Sequence, residues 1–195
     1  MHAAPVPGVA RLTATDLAFL DDEEAGQTVF GLKVLGRLDE LARVPHDAVI
    51  VAIGDNRARA EVLGRLRSEN VVSAIHESTV VARSVEIGAG TMIGPGVVVN
   101  PLVRLGEGVI LNTGCTVDHH GHIGSYVHVA PGAHLGGNVE LGEGAFVGIG
   151  ASIAPGVRVG AWAIVGAGAA VVSDVAAGTT VVGVPARPLA KGTGR

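Results

Sequence analysis

Three observations predict a mainly β protein, a left-handed parallel β-helix of hexapeptide repeats preceded by a small, abbreviated α/β domain. From Val81 through Val171 every sixth residue is Val, Ile or Leu, and no step fails. A small residue follows many of these positions, among them Gly88, Gly94, Gly106, Gly124, Gly136, Gly142, Gly148, Ala154, Gly160 and Gly166. Glycine reaches 30 of 195 residues while aromatics are only 3 %, so rings cannot fill the core and small aliphatic side chains must stack instead.

A period of six excludes an amphipathic helix, which repeats at 3.6, and a simple strand, which alternates at two without glycine punctuation. It fits a triangular solenoid in which each hexad is one side and three hexads make a coil. The inward aliphatics from Val81 to Val171 give about five coils, or ~24 Å of prism at ~4.8 Å per coil. A residue that allows unusual backbone angles or close approach, set just after an inward aliphatic, suits the corner after a short strand. The rod needs a cap at its end, which residues 174–195 with Gly183, Pro185 and Pro188 are expected to supply.

The segment ahead of the repeat reads differently. Ala48–Ile53 is a continuous apolar run ending in Gly54-Asp55-Asn56, the pattern of a buried strand opening into a loop. Arg57 to Asn70 reads as a helix with Ala60, Val62, Leu63 and Leu66 on one side, and Val71–Ile75 as another strand. That order makes a crossover unit, and open sheets of this kind bind ligands at the carboxyl ends of their strands, where Gly54 lies. Leu17–Leu20 looks like a further strand, leaving Asp21-Asp22 at the same edge or in a solvated turn. No glycine-rich phosphate loop precedes Asp21, so this domain is abbreviated. The expected boundaries are 1–76 for the α/β domain, 77–173 for the β-helix and 174–195 for cap and tail.

Composition narrows the function. A net charge of −4 argues against nucleic acid as partner. Each apolar stretch is interrupted well short of the ~20 residues of a membrane span. The first residues lack a basic segment followed by an apolar run, so the expectation is a cytoplasmic protein. Cys115, the single cysteine, forms no intrachain disulfide and is read as a structural thiol pointing outward.

Five histidines, His119, His120, His122, His128 and His134, crowd less than one coil, while His46 and His76 are read as structural. His122, His128 and His134 each precede an inward residue and so face outward on three successive sides; His119 and His120 fall at a corner. Such a cluster suits acyl transfer, where an imidazole with a pKa of ~6.5 removes a proton from an attacking amine or hydroxyl. A shared zinc site of the kind seen in gamma-class carbonic anhydrases needs a His-x4-His pair. No two histidines here stand five apart, and no metal is expected.

The stretch Asn112-Thr113-Gly114-Cys115-Thr116-Val117-Asp118-His119-His120, followed by Ile123-Gly124, resembles the active-site coil of the sialic acid O-acetyltransferase and bacillosamine-pathway N-acetyltransferase family, the NeuD/PglD-like sugar acyltransferases. Phe19–Asp22, Val34-Leu35-Gly36, Ile53–Asn56 and Val182–Pro188 agree with it, so the resemblance covers nearly the whole chain. It implies a nucleotide-sugar-binding amino-terminal domain, here without its first strand and glycine-rich loop, which either lie upstream of Met1 or are lost with a change of sugar.

The resemblance further implies acetyl-CoA as co-substrate, a homotrimer with CoA held between prisms, and direct transfer without a covalent enzyme intermediate. His119 matches the catalytic base and His120 the supporting position, which in the family is usually acidic; Asp118 is the other candidate for that support. His128, Gly137, Ile149 and Ala167 match acetyl-CoA contacts, and Asp21, Asp22, Gly54 and Asp55 the nucleotide pocket. The expected activity is N-acetylation of a nucleotide-linked amino sugar. The alternatives are O-acetylation of a sialic-acid-like sugar and a non-catalytic binding or assembly subunit.

Overall fold

The computed structural model describes residues 17–189. They fall into two compact units, divided between Val49 and Ile50.

In the first unit, β1 (Phe19–Leu20) lies parallel to β3 (Leu32–Gly36), which also pairs antiparallel with β2 (Thr28–Val29). The expected strand at Leu17–Leu20 is thus present over its second half. Val34 buries its side chain in this small sheet, and a 3-10 turn at Leu38–Arg43 follows.

The second unit is a parallel β-solenoid of hexapeptide repeats. Two-residue strands recur every six residues and pair with those eighteen residues away, as in Thr116↔His134 and Val117↔Leu135. Three sheets result. The first runs from Ala74–Ile75 through Met92–Ile93, Ile110–Leu111, His128–Val129, Phe146–Val147 and Ile164–Val165 to Thr180–Val182. The second runs from Val80–Val81 to Ala170–Val171, and the third from Glu86–Ile87 to Arg158–Val159. At three strands per coil this makes about six coils rather than five. Ile75 already stands in phase six residues before Val81, and Val181 extends the stack at the other end. Arg187–Pro188 then closes the first sheet by pairing antiparallel with Thr180–Val182.

The expected inward column is buried from Ile93 through Val171. A second inward column, two residues earlier in each hexad, was not anticipated: Val97, Val103, Val109, Cys115, Val127, Ala133, Val139, Ala145 and Ala151 are as deeply buried. Cys115 therefore points into the core, not outward. Its position is the one where the chain turns back inward before each strand, so short apolar side chains fill the prism beside the aliphatic ladder.

The corners also divide their work differently from the expectation. The left-handed residue stands three places after the inward aliphatic, as at Gly114 (φ 66°), His120 (φ 59°) and Asn138 (φ 59°). The glycine one place after it serves close approach instead: a Cβ on Gly124 would lie 2.8 Å from the Glu143 nitrogen of the next coil.

The crossover unit is not formed as expected. Residues 50–54 belong to no strand, and of Val71–Ile75 only Ala74–Ile75 is a strand, which pairs with Met92–Ile93 as the first rung of the solenoid. The helix is present as α1 (Asn56–Arg65), with Asp55 as its N-cap accepting from the backbone N–H groups of Arg57 and Ala58.

Side chains of α1 fasten it to the solenoid. Arg59 is fully buried and donates to the carbonyls of Ile53 (2.8 Å), Gly108 (2.7 Å) and Tyr126 (2.7 Å) and to Asn56 Oδ1 (2.8 Å). Burial pushes its pKa down to about 10, against the opposing attraction of Asp55. Asn56 donates to the Gly144 and Ala145 carbonyls, and the Arg57 guanidinium lies 4.4 Å from the ring centre of Trp162.

Candidate active site

His119 and His120 sit at the corner joining the second sheet to the third. Val117 is buried, and the four residues Asp118–Gly121 turn the chain before His122–Ile123 resumes the ladder. Asp118 organises the turn: its Oδ1 accepts from the backbone N–H of His119 (2.7 Å) and from Asn100 Nδ2 of the preceding coil (2.7 Å). Those two bonds, the His119 N–H first, hold its carboxyl below the usual carboxylate range.

The exposed imidazole of His119 lies against Gly137, one coil further on. A Cβ there would stand 2.6 Å from His119 Cε1 and 2.8 Å from Nε2, so only glycine leaves room for the ring. On its other edge, His119 Nδ1 is 3.1 Å from His120 Nδ1, with the two rings edge to face at 88°. His119 Nε2 makes no hydrogen bond among the described residues. The arrangement is thus an exposed imidazole with one nitrogen engaged and one open, suited to taking a proton from a bound nucleophile.

His128 stands in the first sheet, half-buried with its ring edge-on to Phe146. Its Nδ1 donates to the Gly54 carbonyl (3.3 Å) and its Nε2 accepts from Asn112 Nδ2 (3.3 Å), which fixes a neutral ring. Burial lowers its pKa, the Gly54 carbonyl opposes this, and the Arg59 charge adds to the lowering. Gly54 and His128, two of the expected site residues, are thereby brought together.

Other expected residues lie elsewhere. Ile149 and Ala167 are exposed and one coil apart at the corner between the first and second sheets, a different corner from that of His119 and Gly137. Asp55 spends its carboxylate on the α1 cap. Asp21 and Asp22 belong to the other unit. There Asp21 Oδ1 accepts from the N–H groups of Glu23 and Glu24, and Asp22 Oδ1 from that of Leu38. His122 and His134 are exposed on the third and second sheets, the latter bonded to Thr116 Oγ1 at 2.9 Å. Among the described residues no group of three or more His, Cys, Asp or Glu side chains is placed to hold a metal ion, and no helix is long and apolar enough to cross a membrane.

Asn100 was missed in the sequence, although it stands eighteen residues before Asp118, in the ladder position that the repeat itself defines. Arg59 was missed because an arginine in a surface helix ordinarily reads as solvated.

The profile of the PglD N-terminal domain matches residues 2–66, and that of the bacterial transferase hexapeptide (six repeats) matches residues 138–172. The comparison with curated proteins gives no match. Among solved structures, the acetyltransferase domain of PglB from Neisseria gonorrhoeae in complex with acetyl coenzyme A is 36 % identical, over 90 % of this chain and 87 % of that one, with a TM-score of 0.87. PerB from Caulobacter crescentus, in complex with CoA and GDP-perosamine, is 40 % identical over 88 % of this chain and 84 % of that one, with a TM-score of 0.83. WeeI from Acinetobacter baumannii is 36 % identical over 88 % and 85 %, with a TM-score of 0.83. With an amino-terminal PglD profile, a hexapeptide solenoid and these identities over most of its length, the chain belongs to the NeuD/PglD-like sugar acetyltransferases.

Proposed function

We propose that the protein N-acetylates a nucleotide-linked amino sugar with acetyl-CoA, using His119 as general base. The observation that carries this reading is the exposed His119 imidazole, seated on Gly137 with Nδ1 engaged by His120 and Nε2 open. The acceptor nitrogen attacks the thioester carbonyl carbon and its proton passes to His119 Nε2. The carbon–sulfur bond then breaks, and the departing thiolate takes up that proton, so the base is restored and the products are the amide and free CoA. The PglB domain holds acetyl-CoA and PerB holds CoA with GDP-perosamine, which supports both substrate classes.

On this reading Gly137 presents one wall of the CoA channel, while Ile149 and Ala167 present another from a different corner of the prism. Two corners of one prism face different directions, so a single ligand touches both only when a second copy supplies one of them, which is the case for a homotrimer. His128 contacts acetyl-CoA, and Gly54 and Asp55 serve the nucleotide. On the same reading the reaction is cytoplasmic.

The test is acetyl-CoA consumption, followed by thiol release, with UDP-, GDP- and dTDP-linked amino sugars and free sialic acid, comparing the native protein with His119→Ala. Turnover with a nucleotide amino sugar that the substitution abolishes is the expected result. Turnover with sialic acid alone, or turnover unchanged in His119→Ala, would overturn the reading.

A further inference from the structure

Leu102 occupies a left-handed corner position one coil before His120, with φ of 64°, a conformation that crowds the Cβ of an ordinary residue and that bulky side chains seldom adopt. Tyr126 and Trp162 stand in such positions at a different corner, and α1 packs there: the Tyr126 ring and Leu63 both lie against Gly108, and the Arg57 guanidinium lies over Trp162. Leu102 lies outside the buried core and is 52 % exposed, so burial does not offset its strain. Nor does the turn call for an aliphatic side chain, because the same corner carries Ser84, His120, Asn138 and Gly156 in the other coils. A strained residue that neither the core nor the turn explains points to a role at the surface.

Leu102 lines an open cleft of about 350 Å³ with Ser84, Glu86, Arg104, His120 and His122. That volume lies within the ~300–1,000 Å³ range of small-molecule sites. Glu86 and Arg104 stand 3.3 Å apart with most of each side chain exposed, so the cleft presents a carboxylate and a guanidinium side by side. Ser84 Oγ accepts the backbone N–H of Leu102 at 3.0 Å and fixes that corner. The cleft thus sets one aliphatic surface among groups that bind hydroxyls, which suits a sugar ring bearing hydroxyls on some carbons and a methyl group on another. Its His120 wall adjoins His119, with 5.2 Å between the two ring centres.

We propose that Leu102 is a specificity-determining residue, whose side chain receives a methyl substituent of the acceptor sugar in this cleft. This rests on the reading of His119 as the base of acetyl transfer. On that reading Gly137, one coil beyond His119, walls the CoA channel, so the acceptor approaches from the opposite side, over the coil of Leu102. The amino group then reaches His119 while the methyl group packs on Leu102 and ring hydroxyls bond to Glu86 and Arg104. A hydroxymethyl group in the same place would set its hydroxyl against an aliphatic surface that offers no hydrogen bond in exchange for water.

The backbone supplies clean variants. Asn138 and Gly156 occupy the same corner two and three coils on from Leu102, with φ of 59° and 74°. Both residue types therefore fit this turn. Leu102→Asn replaces the aliphatic surface by a polar one, and Leu102→Gly removes it. Both are expected to melt within a few degrees of native and to keep the native molecular mass.

The test uses UDP-, GDP- and dTDP-linked 4-amino sugars in pairs that differ only in a methyl or a hydroxymethyl group on the ring. Saturation-transfer NMR on the full-length protein, without acetyl-CoA, reads which sugar protons lie against it. The methyl protons are expected to receive the strongest transfer of the sugar's protons in the native protein, and to weaken relative to the anomeric proton in both variants. In turnover, the native protein is expected to prefer the methyl sugar by about tenfold in kcat/KM, and the variants by about twofold or less, as for loss of one apolar contact. KM for acetyl-CoA is expected to stay near native. Absence of sugar binding, or a methyl signal and a preference unchanged in both variants, overturns the proposal. So does a lowered molecular mass with unchanged preference, which would make Leu102 a contact between copies. Because the sugar protons are read without acetyl-CoA, a failure of acetyl transfer is a separate result.

Discussion

The ring of His119 rests on the backbone of Gly137, with less than the width of a methyl group to spare. Gly137 does not adopt a left-handed conformation, so its identity is set by this contact and not by the turn. Gly137→Ala is accordingly expected to fold, because the added methyl meets the movable edge of an exposed ring, but to displace His119, the proposed base. A displacement of ~1 Å at a reacting group costs about 100-fold in rate. Steady-state kcat/KM beside a melting curve checks it: activity falls while the melting temperature stays within a few degrees of native.

Arg59 gives the opposite kind of variant, in which stability is lost. In Arg59→Met the carbonyls of Gly108 and Tyr126 lose their guanidinium donors in a buried place. Each abandoned buried acceptor costs ~1–3 kcal/mol, so the expected loss from the two is about 2–6 kcal/mol. Urea unfolding measures it, and Arg65→Met, on an exposed residue of the same helix, is the control expected to change little.

His128 makes the fold sensitive to acid. Its native pKa is lowered, so between that value and the unfolded value of ~6.5 the folded chain binds fewer protons than the unfolded one. Stability from this group is full above pH ~6.5 and falls as the pH drops through the window, with a slope of at most ~1.4 kcal/mol per pH unit. Denaturation midpoints at pH 7.5 and 5.5 should differ in the native protein and draw closer together in His128→Gln.

Cys115 should be chemically silent. Burial pushes its thiol up to about 12, opposed only weakly by its backbone hydrogen bonds. At pH 8 an aromatic disulfide reagent should titrate no thiol in the folded protein and one per chain in denaturant. Rapid reaction of the folded protein would mean that this coil opens.

The repeat was legible because its signal is redundant: one failed step in the Val81–Val171 column would not have hidden it. The second inward column is harder to see, because Thr91 and Gly121 interrupt it and Ala133, Ala145 and Ala151 are small enough to stand anywhere, so a lone Cys115 among them gave no hint of depth. The amino-terminal crossover failed for a different reason. An apolar run such as Ala48–Ile53 reads the same whether it forms a ladder strand or packs without one, and Ile75 answered to the solenoid's phase rather than to a sheet of its own. At the candidate site, the corner pair His119–His120 could be placed by counting sixes. The Gly54–His128 bond could not, since it joins residues 74 apart through the way one loop lies on the solenoid.

The left-handed corner position recurs once per hexad and is filled mostly by glycine, yet Leu102, His120, Tyr126, Asn138 and Trp162 occupy it too. Each such residue displays a side chain at a fixed address on the rod while leaving the coil's hydrogen bonds intact, at a cost of about 1–2 kcal/mol against a long, continuous core. In that sense the glycines are blank sites: changing one letter in the column rewrites the surface without renegotiating the architecture. A solenoid of this kind can change what one address on its surface displays by a single substitution, as the imidazole of His120 stands where most hexads have glycine.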